Sequence, residues 1–281
     1  MTEPFIGSEA TASGVIGLYA LRSRYTAVYP DVYLRRDTEL TATMRARAAW
    51  LWSRRAAVVA GRSAAALHGA KWVDADRPGE LLHSNRRPPR GIVTWSDTVA
   101  DDEIVTIAGM RVTTPARTAL DYARRYRLNE AVAAMDALCN ATRLKPADIE
   151  LLASRHAGSR FIRRARRAID LVDGGAQSPR ETWLRLLIIE AGYPRPQTQV
   201  PVYNEFGVVI AHLDLGWKHL HLGLEYEGAH HRLTREQLDY DIRRHEEIRE
   251  AGWHAIRVTS MDTPAGILGR LEAEWQRRVC A

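Results

Sequence analysis

The sequence has few of the features that mark membrane proteins and disulfide-rich secreted proteins. Its 281 residues include two cysteines, Cys139 and Cys280, which are too few for a disulfide framework or a cysteine-rich zinc site. No stretch approaches the roughly 18 uninterrupted apolar residues of a membrane span. The first residues, MTEPFIGSEATASG, carry acids where a signal peptide is positively charged. We therefore expect a cytoplasmic protein that has no membrane partner.

Lysine is also scarce, although the chain is basic. Lys and Arg number 40 against 34 Asp and Glu, a net charge of +6, and only three of the 40 are lysines. Residues 1–176 hold 27 basic and 19 acidic residues, whereas residues 177–281 hold 13 and 15. This division predicts a polyanionic partner for the first part and a carboxylate-bearing site in the second. A coding bias toward arginine explains the same excess without nucleic acid.

A turn-rich segment, GGAQSP, divides the chain into two predicted domains, residues 1–175 and 176–281. The apolar content of 46% and the charged content of 26% predict that both are globular. The first domain is predicted to be mixed α+β and mostly helical. The second is predicted to be an α/β domain.

Turn residues and hydrophobic periodicity predict the elements of both domains. The first domain is expected to contain short strands within residues 80–113, followed by a helix that Thr113 caps and Pro115 begins. The second domain has the predicted order αβββαβα, with three strands within residues 197–228 and a long helix at about 234–251. A mixed order of this kind predicts a sheet covered by helices on both faces.

Three acidic residues lie in the predicted strands of the second domain. Asp214 interrupts one apolar strand, and Glu225 and Glu227 lie in the next, separated by Tyr226. Because strand side chains alternate, Glu225 and Glu227 share a face, and Asp214 joins them if the strands pair as a hairpin. Clustered carboxylates suit Mg²⁺ or Mn²⁺, which can activate water at a phosphate. The pattern therefore indicates a metal site. The alternative is that these acids lie on a solvent-facing side of the strands and have no function, since their spacing would be the same.

Other polar positions in this domain each have a structural alternative. Glu181 follows Ser178 by three residues, which is the spacing of a capping box. His231 can relay a proton to a leaving group, but a His-His pair is also typical of a surface turn. Asp241 and Arg244 are three residues apart and can form an intrahelical pair, or Arg244 can hold a phosphate.

The motifs SPRETWLR, HLDLGW, LEYEGAHHR and GWHAIRVT follow one another between Gln177 and Thr259. In this order they resemble the endonuclease-like domains related to very short patch repair endonucleases, which belong to the PD-(D/E)xK, or restriction-endonuclease-like, superfamily. The resemblance implies an αβββαβ nuclease core in which acids bind a divalent metal, Mg²⁺ or Mn²⁺. It also implies hydrolysis of DNA phosphodiester bonds.

The same resemblance implies a role for individual residues of this sequence. Asp214 and Glu225 would bind the metal together with the backbone carbonyl of Tyr226. Either Glu227, which stands where the superfamily usually has lysine, or His231 would orient or deprotonate the attacking water. The implied catalytic set is Glu181, Asp214, Glu225, Glu227 and His231, with Arg244 on the scissile phosphate and with Asp241 and Arg257 in support.

In the first domain, the motifs PDVYL, GRSAAALHGA and TTPARTALDYARR resemble the AbiEi-type antitoxin domains of abortive-infection systems. In that family a winged helix-turn-helix precedes the domain and binds DNA. Only about 35 residues precede the first long predicted helix here, so we expect a truncated winged helix. The arginine-rich helix at residues 159–173 either contacts DNA phosphates through Arg163, Arg164 and Arg167 or forms a solvated face.

Together these patterns predict a Mg²⁺-dependent endodeoxyribonuclease that acts on DNA in repair or defence. The alternative is a non-catalytic, antitoxin-like DNA-binding transcriptional regulator in which the nuclease fold is a scaffold. A third hypothesis is an enzyme that processes RNA or tRNA ends. Cutting both strands of a duplex would need a homodimer or sequential nicks, and the antitoxin resemblance implies a toxin-like protein partner.

Overall fold

The structure, a computed structural model, describes residues 2–228 and 235–280, with side chains in the second range from residue 242 onward. The chain divides into two compact units, Met1–Gly174 (unit 1) and Gly175–Ala281 (unit 2). Helices and strands are mixed in both units, which confirms the predicted α/β class.

Unit 1 begins with two short helices and a small sheet. In chain order the elements are β1 (Phe5–Ile6), α1 (Gly7–Ala12), α2 (Leu18–Arg24), β2 (Tyr25–Tyr29) and β3 (Val32–Arg35). β3 lies between β1 and β2, and both pairings are antiparallel. Ala10, Ile16 and Leu21 form a buried cluster of their own in this part of the chain. The first 35 residues therefore contain two helices as well as three short strands.

The rest of unit 1 combines a five-stranded sheet with α-helices. In chain order these elements are α3 (Ala42–Trp52), β4 (Val58–Val59), α4 (Gly61–Leu67), β5 (Gly79–Leu82), β6 (Ile92–Trp95), β7 (Ile104–Ile107), β8 (Met110–Thr113), α5 (Pro115–Arg125), α6 (Leu128–Thr142), α7 (Pro146–Arg155) and α8 (Ile162–Asp170). The strands lie in the order β6, β5, β4, β8 and β7. β5 and β6 are parallel, so residues 83–91 carry the chain from the end of β5 back to the edge of the sheet at which β5 begins.

The cap of α5 differs from the sequence prediction by one residue. The hydroxyl of Thr114 accepts a hydrogen bond from the N–H of Arg117 at 3.3 Å, which makes Thr114 the N-cap. Thr113 does not cap the helix because it is still paired in β8, opposite Ile104. Its hydroxyl contacts that of Thr118 instead, at 2.7 Å.

Buried charges link α5 to the rest of unit 1. Arg117 is 1% exposed, and its guanidinium forms ion pairs with Glu103 and with Asp121, the second at 3.1 Å. Glu103 also contacts the ring of His156 in the turn after α7, at 2.7 Å. A charge buried this deeply is tolerated only when it is paired and hydrogen-bonded, so this network holds α5 and α7 together.

Unit 2 contains the four-stranded sheet predicted from the sequence. Its elements are α9 (Pro179–Glu190), β9 (Gln197–Tyr203), β10 (Val209–Trp217), β11 (Leu222–Glu227), α10 (Arg235–Glu250), β12 (His254–Thr259) and α11 (Pro264–Val279). The strands lie in the order β12, β11, β10 and β9, with β11 and β12 parallel and the other pairs antiparallel. The predicted order αβββαβα is confirmed.

Two hydrophobic cores pack against this sheet. One joins Leu184 of α9 and Ile267 of α11 to Leu215 and Leu224. The other includes Ile248 of α10 together with residues of β9 and β10. The acidic residues of the sheet lie where β10 and β11 run beside α9 and α10, and this positions the candidate site.

Candidate functional site

β10 and β11 bring two acidic residues close together. The strands pair from Trp217 opposite Leu222 to Leu215 opposite Leu224, and Asp214 and Glu225 are the next residues of the two strands. The backbone N–H of Tyr226 donates a hydrogen bond to Oδ2 of Asp214 at 2.7 Å. The hairpin on which the predicted carboxylate site depends is therefore present.

The surroundings of Asp214 disfavour a charged carboxylate. Burial is the largest cause, and together with the negative charges of Glu181 and Glu225 it raises the pKa of Asp214 from 3.8 to about 7. The hydrogen bond from Tyr226 and the positive charge of Arg244 act in the opposite direction. A cation close to this carboxylate would favour the ionised form, so Asp214 is suited to a ligand of positive charge.

Glu225 is 7% exposed and is held by α10. Its Oε1 accepts a hydrogen bond from Nη2 of Arg244, and the same nitrogen lies 3.3 Å from the carbonyl oxygen of His212. Oε2 of Glu225 is buried without a hydrogen bond from any described residue and lies 3.7 Å from Nε2 of His245. Arg244, which was predicted to hold a phosphate, here pairs with a predicted metal ligand.

Glu181 combines a capping position with a place beside the strand acids. Oγ of Ser178 accepts the N–H of Glu181 at 3.2 Å, so the predicted N-cap is present. The Glu181 carboxylate accepts the N–H of Gln177 at 2.8 Å, one residue before the expected donor. The same oxygen lies 3.4 Å from Nε2 of Gln199. Glu181 therefore faces β9 and acts electrostatically on Asp214.

Gln199 is the residue of this site that the sequence prediction missed. β9 pairs with β10 so that Val200 lies opposite Leu213, and the same register sets Gln199 opposite Asp214. The φ angle of Gln199 is +48°, in the left-handed region that residues with a Cβ rarely adopt. No local signal marks the position, since neither a glycine nor an asparagine stands there.

The distortion at Gln199 coincides with a change of packing along β10. Leu213 packs in the core that contains Val200 and Ile248, whereas Leu215 packs in the core that contains Leu184. Residues two apart in a regular strand share one face, so the packing indicates an irregular strand at Asp214. Strained backbone of this kind persists when its surroundings hold it, often at functional sites.

The remaining predicted residues lie at the edge of this cluster or outside the described part of the chain. Nε of Arg257 donates a hydrogen bond to Oε1 of Glu227, so this acid is neutralised by a neighbouring strand. His231 lies outside the described residues. Asp241 belongs to α10, but its side chain is outside the described side chains. The choice of base between Glu227 and His231 stays a prediction.

The donor set fits a hard cation held by few protein ligands. Among the described side chains, no three His, Cys, Asp or Glu residues converge closely enough to hold a metal ion. Mg²⁺ is commonly bound through one or two carboxylates, while waters and phosphates complete its coordination. Asp214 and Glu225 match that number, and the buried Oε2 of Glu225 has no hydrogen-bond donor among the described residues. Tyr226 stays the predicted carbonyl ligand.

In unit 1, the arginine-rich helix α8 exposes most of its charge. Arg163 and Arg167 are exposed and pair with no acid in the described part of the chain. Arg164 donates a hydrogen bond to the carbonyl oxygen of Arg124, and its guanidinium lies 4.8 Å from the ring centre of Phe161. Two of the three arginines predicted to contact DNA are thus available, and Arg164 is partly committed to the protein.

The N-terminal helices form a second candidate surface. Gly14, with φ of +72°, lies in the turn between α1 and α2. On α2, Tyr19 is 86% exposed and Leu18 is 65% exposed, and Arg22 is exposed beside them. Two helices joined at a glycine-containing turn and followed by a hairpin have the order of a helix-turn-helix with a wing.

Comparison with known proteins relates unit 1 to an antitoxin family. Residues 56–171 match the family model of the AbiEi antitoxin C-terminal domain. This match lies within the half of the chain for which the motifs indicated an antitoxin resemblance.

Two curated relatives come from Mycobacterium tuberculosis. They are the uncharacterized protein MT2308 of strain CDC 1551 / Oshkosh and the uncharacterized protein Rv2248 of strain ATCC 25618 / H37Rv. Each is 30% identical to this chain over 173 residues, which cover 62% of this chain and 63% of the relative. The match thus leaves more than a third of each relative uncovered.

No solved structure matches the chain. None of the helices in the described ranges combines the length and the apolar character that crossing a bilayer requires.

Proposed function

We propose that this protein is an antitoxin-like regulator that binds DNA through its N-terminal helices. The observation that carries the proposal is the arrangement of α1, α2 and the β2–β3 hairpin beside a domain that matches the AbiEi antitoxin model at residues 56–171. In helix-turn-helix proteins the second helix lies in the major groove and the first crosses the backbone. By this analogy α2 is the recognition helix.

The surface of α2 has the chemistry that base recognition needs. Leu21 is buried with Ala10 and Ile16, so the opposite side of the helix, with Tyr19 and Arg22, is open to a ligand. Arginine forms bidentate hydrogen bonds with guanine in the major groove, and apolar groups contact the thymine methyl. Exposed aromatic and basic side chains on one short helix therefore favour DNA over an acidic peptide.

The arginines of α8 support the same proposal through charge. Arg163 and Arg167 can neutralise phosphates without recognising sequence. A toxin-like protein partner for the residues that match the antitoxin model belongs to this proposal as well.

Selection of duplexes from a random pool by the full-length protein tests the proposal. We expect an enriched sequence, and we expect the variant Tyr19→Ala/Arg22→Ala to lose about tenfold or more in preference for it, because each good base contact contributes about 1–3 kcal/mol of discrimination. Leu151→Ala, which removes an apolar side chain that is 70% exposed on α7, is the matched control. Failure of the wild-type protein to enrich any sequence would contradict sequence-specific regulation.

A second candidate function is metal-dependent hydrolysis of DNA phosphodiester bonds by unit 2. The observation that favours it is the position of Asp214 on the strand paired with that of Glu225. Burial and the negative charges of Glu181 and Glu225 raise its pKa to about 7. Asp214 and Glu225 would hold Mg²⁺ or Mn²⁺, which when bound stabilises negative charge on a phosphate and lowers the pKa of water. Glu181 would keep the site negative, and Arg244 would move from Glu225 to the phosphate.

Supercoiled plasmid incubated with Mg²⁺, Mn²⁺ or EDTA tests this second candidate. We expect nicking that needs the metal and is lost in Asp214→Asn, which keeps the size of the side chain and its acceptor for Tyr226. Arg111→Ala, on β8 of unit 1, serves as a control that should nick normally. If Asp214→Asn still nicks the plasmid, the nicking comes from a contaminant or from another site. If the wild-type protein binds DNA without nicking it, the regulator remains as the function.

A further inference from the structure

We infer that the loop at residues 84–90 is a phosphate-contacting element that clamps duplex DNA beside the β2–β3 hairpin. The inference rests on the proposed DNA-binding function and names a surface of unit 1 that neither the motifs nor the family match indicates. The loop connects β5 to β6 and has the sequence SNRRPPR. Its three arginines, Arg86, Arg87 and Arg90, are all exposed.

None of these three arginines pairs with an acid in the described part of the chain, as is also true of Arg163 and Arg167 on α8. Several other surface arginines of unit 1 are neutralised, as in the pairs Arg54–Asp31 at 2.7 Å and Arg55–Glu9 at 2.6 Å. Residues 81–96 contain no Asp or Glu. Three cations without counter-charges form a local positive field that attracts a polyanion.

The loop backbone is ordered by hydrogen bonds, although its arginines are exposed. Oδ1 of Asn85 accepts the N–H of Arg87 at 2.8 Å, and the hydroxyl of Thr94 donates to the Asn85 carbonyl at 2.6 Å. Pro88 and Pro89 remove further backbone freedom, because a proline ring fixes φ. A loop held in this way loses little conformational entropy on binding, which favours a phosphate clamp over a solvated tail.

The loop is joined to the hairpin that follows the proposed recognition helix. The carbonyl oxygen of Gly91 accepts hydrogen bonds from the hydroxyl of Tyr29 and from the N–H of Gly79, each at 2.9 Å. Tyr29 ends β2, which begins directly after α2. Residues 10–30 also contain no acid. Two acid-free segments, one with the recognition helix and one with the arginine loop, therefore meet at Tyr29 and Gly91.

The partner that fits this surface is the sugar–phosphate backbone of duplex DNA next to the site that α2 recognises. Phosphate contacts fix the register of a protein on DNA and carry no sequence information. The loop should therefore set affinity and salt dependence, while α2 sets sequence preference. An acidic protein partner would use the same charges but would leave duplex binding unaffected by their removal.

Fluorescence anisotropy with a labelled 30-base-pair duplex, measured across a salt series, tests the inference. We expect Arg87→Ala/Arg90→Ala to lower the slope of log K against log salt by about 1.8, since each phosphate contact contributes about 0.9. Between 50 and 200 mM salt, the wild-type protein should then lose about 12-fold more affinity than the variant. The loss should be the same for the selected sequence and for an unrelated duplex.

Arg111→Ala/Arg127→Ala is the matched control, because it removes two exposed arginines from unit 1 outside the loop. Thermal denaturation of both variants confirms that each is folded. Equal slopes for the loop variant and this control would overturn the inference, and normal sequence selection by the same loop variant would show that the proposed function stands. If the wild-type protein binds no duplex even at low salt, both the inference and the proposed function fail.

Discussion

The surroundings of Asp214 in unit 2 contrast with those of the buried carboxylates in unit 1. In unit 1, Glu103 and Asp121 share the guanidinium of Arg117, and Glu80 pairs with Arg62 at 2.9 Å. In unit 2, Asp214 accepts a backbone hydrogen bond from Tyr226, and two further acids, Glu181 and Glu225, raise its pKa. Arginines neutralise these buried acids of unit 1, whereas Asp214 lies among other acids, one of which, Glu225, takes the nearby Arg244.

The pKa of Glu103 and the pKa of Asp214 move in opposite directions. Burial raises the pKa of Glu103, but the contact with His156 and the charge of Arg117 together bring it below its ordinary value. Burial raises the pKa of Asp214 as well, and the neighbouring acids add to the increase. A paired acid that stays ionised, such as Glu103, stabilises a fold, whereas an acid whose pKa is raised toward 7 by burial and by like charges is typical of a functional site.

The largest expected effect is the loss of the central cation in unit 1. Arg117→Met should destabilise the unit by about 3–5 kcal/mol, because it leaves Glu103 and Asp121 buried without their partner. Chemical denaturation monitored for unit 1 measures this. Adding Glu103→Gln to the variant should recover part of the loss. A change below about 1 kcal/mol would mean that these charges are not buried as a unit.

The second prediction concerns Asp214, which lies close to two other acids in unit 2. The unfolded Asp214 loses its proton near pH 3.8, whereas the folded residue keeps it until about pH 7, so its contribution to stability falls as pH rises through this window. In EDTA, Asp214→Asn should therefore match the wild type at pH 4 and exceed it at pH 8 by up to about 4 kcal/mol, at 1.36 kcal/mol per pKa unit. Equal stability of the two proteins at pH 8 would show that contacts in the folded protein offset the cost of ionising Asp214.

Added Mg²⁺ sharpens the same comparison. A cation that binds only the folded protein stabilises it, and it relieves the repulsion among the acids. We expect Mg²⁺ to raise the denaturation midpoint of the wild-type protein at pH 8 and to leave that of Asp214→Asn unchanged. Equal responses of the two proteins to Mg²⁺ would show that Asp214 does not bind the metal.

The third prediction tests whether the distortion beside Asp214 is strained. Left-handed backbone is available to glycine without cost but is unfavourable by about 1 kcal/mol for residues with a Cβ. Gln199→Gly should therefore be more stable than Gln199→Ala by about 1 kcal/mol, although both lose the contact with Glu181. At an ordinary strand position the order is reversed, since glycine weakens strands, and that order would show that Gln199 is unstrained.

The fold of unit 2 could be predicted further than its site. Hydrophobic periodicity and turn signals indicated the order of the elements, and the same apolar pattern placed Asp214 and Glu225 on neighbouring strands, which the structure pairs. The pairing of Glu225 with Arg244 and the φ of Gln199 depend on tertiary packing. No residue type or spacing near them in the sequence marks either feature.

The N-terminal helices escaped prediction for a different reason. α1 and α2 are six and seven residues long, and neither has a side-chain N-cap. Helices this short are marginal by themselves and are stabilised by packing, here through Ala10, Ile16 and Leu21. The anchor of the arginine loop is likewise invisible locally, because Tyr29 and Gly91 are 62 residues apart in the sequence.

The smallest expected effect comes from an arginine that is paired at the surface. Nε of Arg166 on α8 lies 3.2 Å from Oε1 of Glu150 on α7, with the side chains 48% and 45% exposed. Water screens such a pair, so Arg166→Ala should lower the stability of unit 1 by less than about 1 kcal/mol. It thus matches Arg117→Met in removing an arginine that pairs with glutamate, but without burial. If the two variants lost equal stability, the comparison would fail, because pairing rather than burial would then determine what each charge contributes.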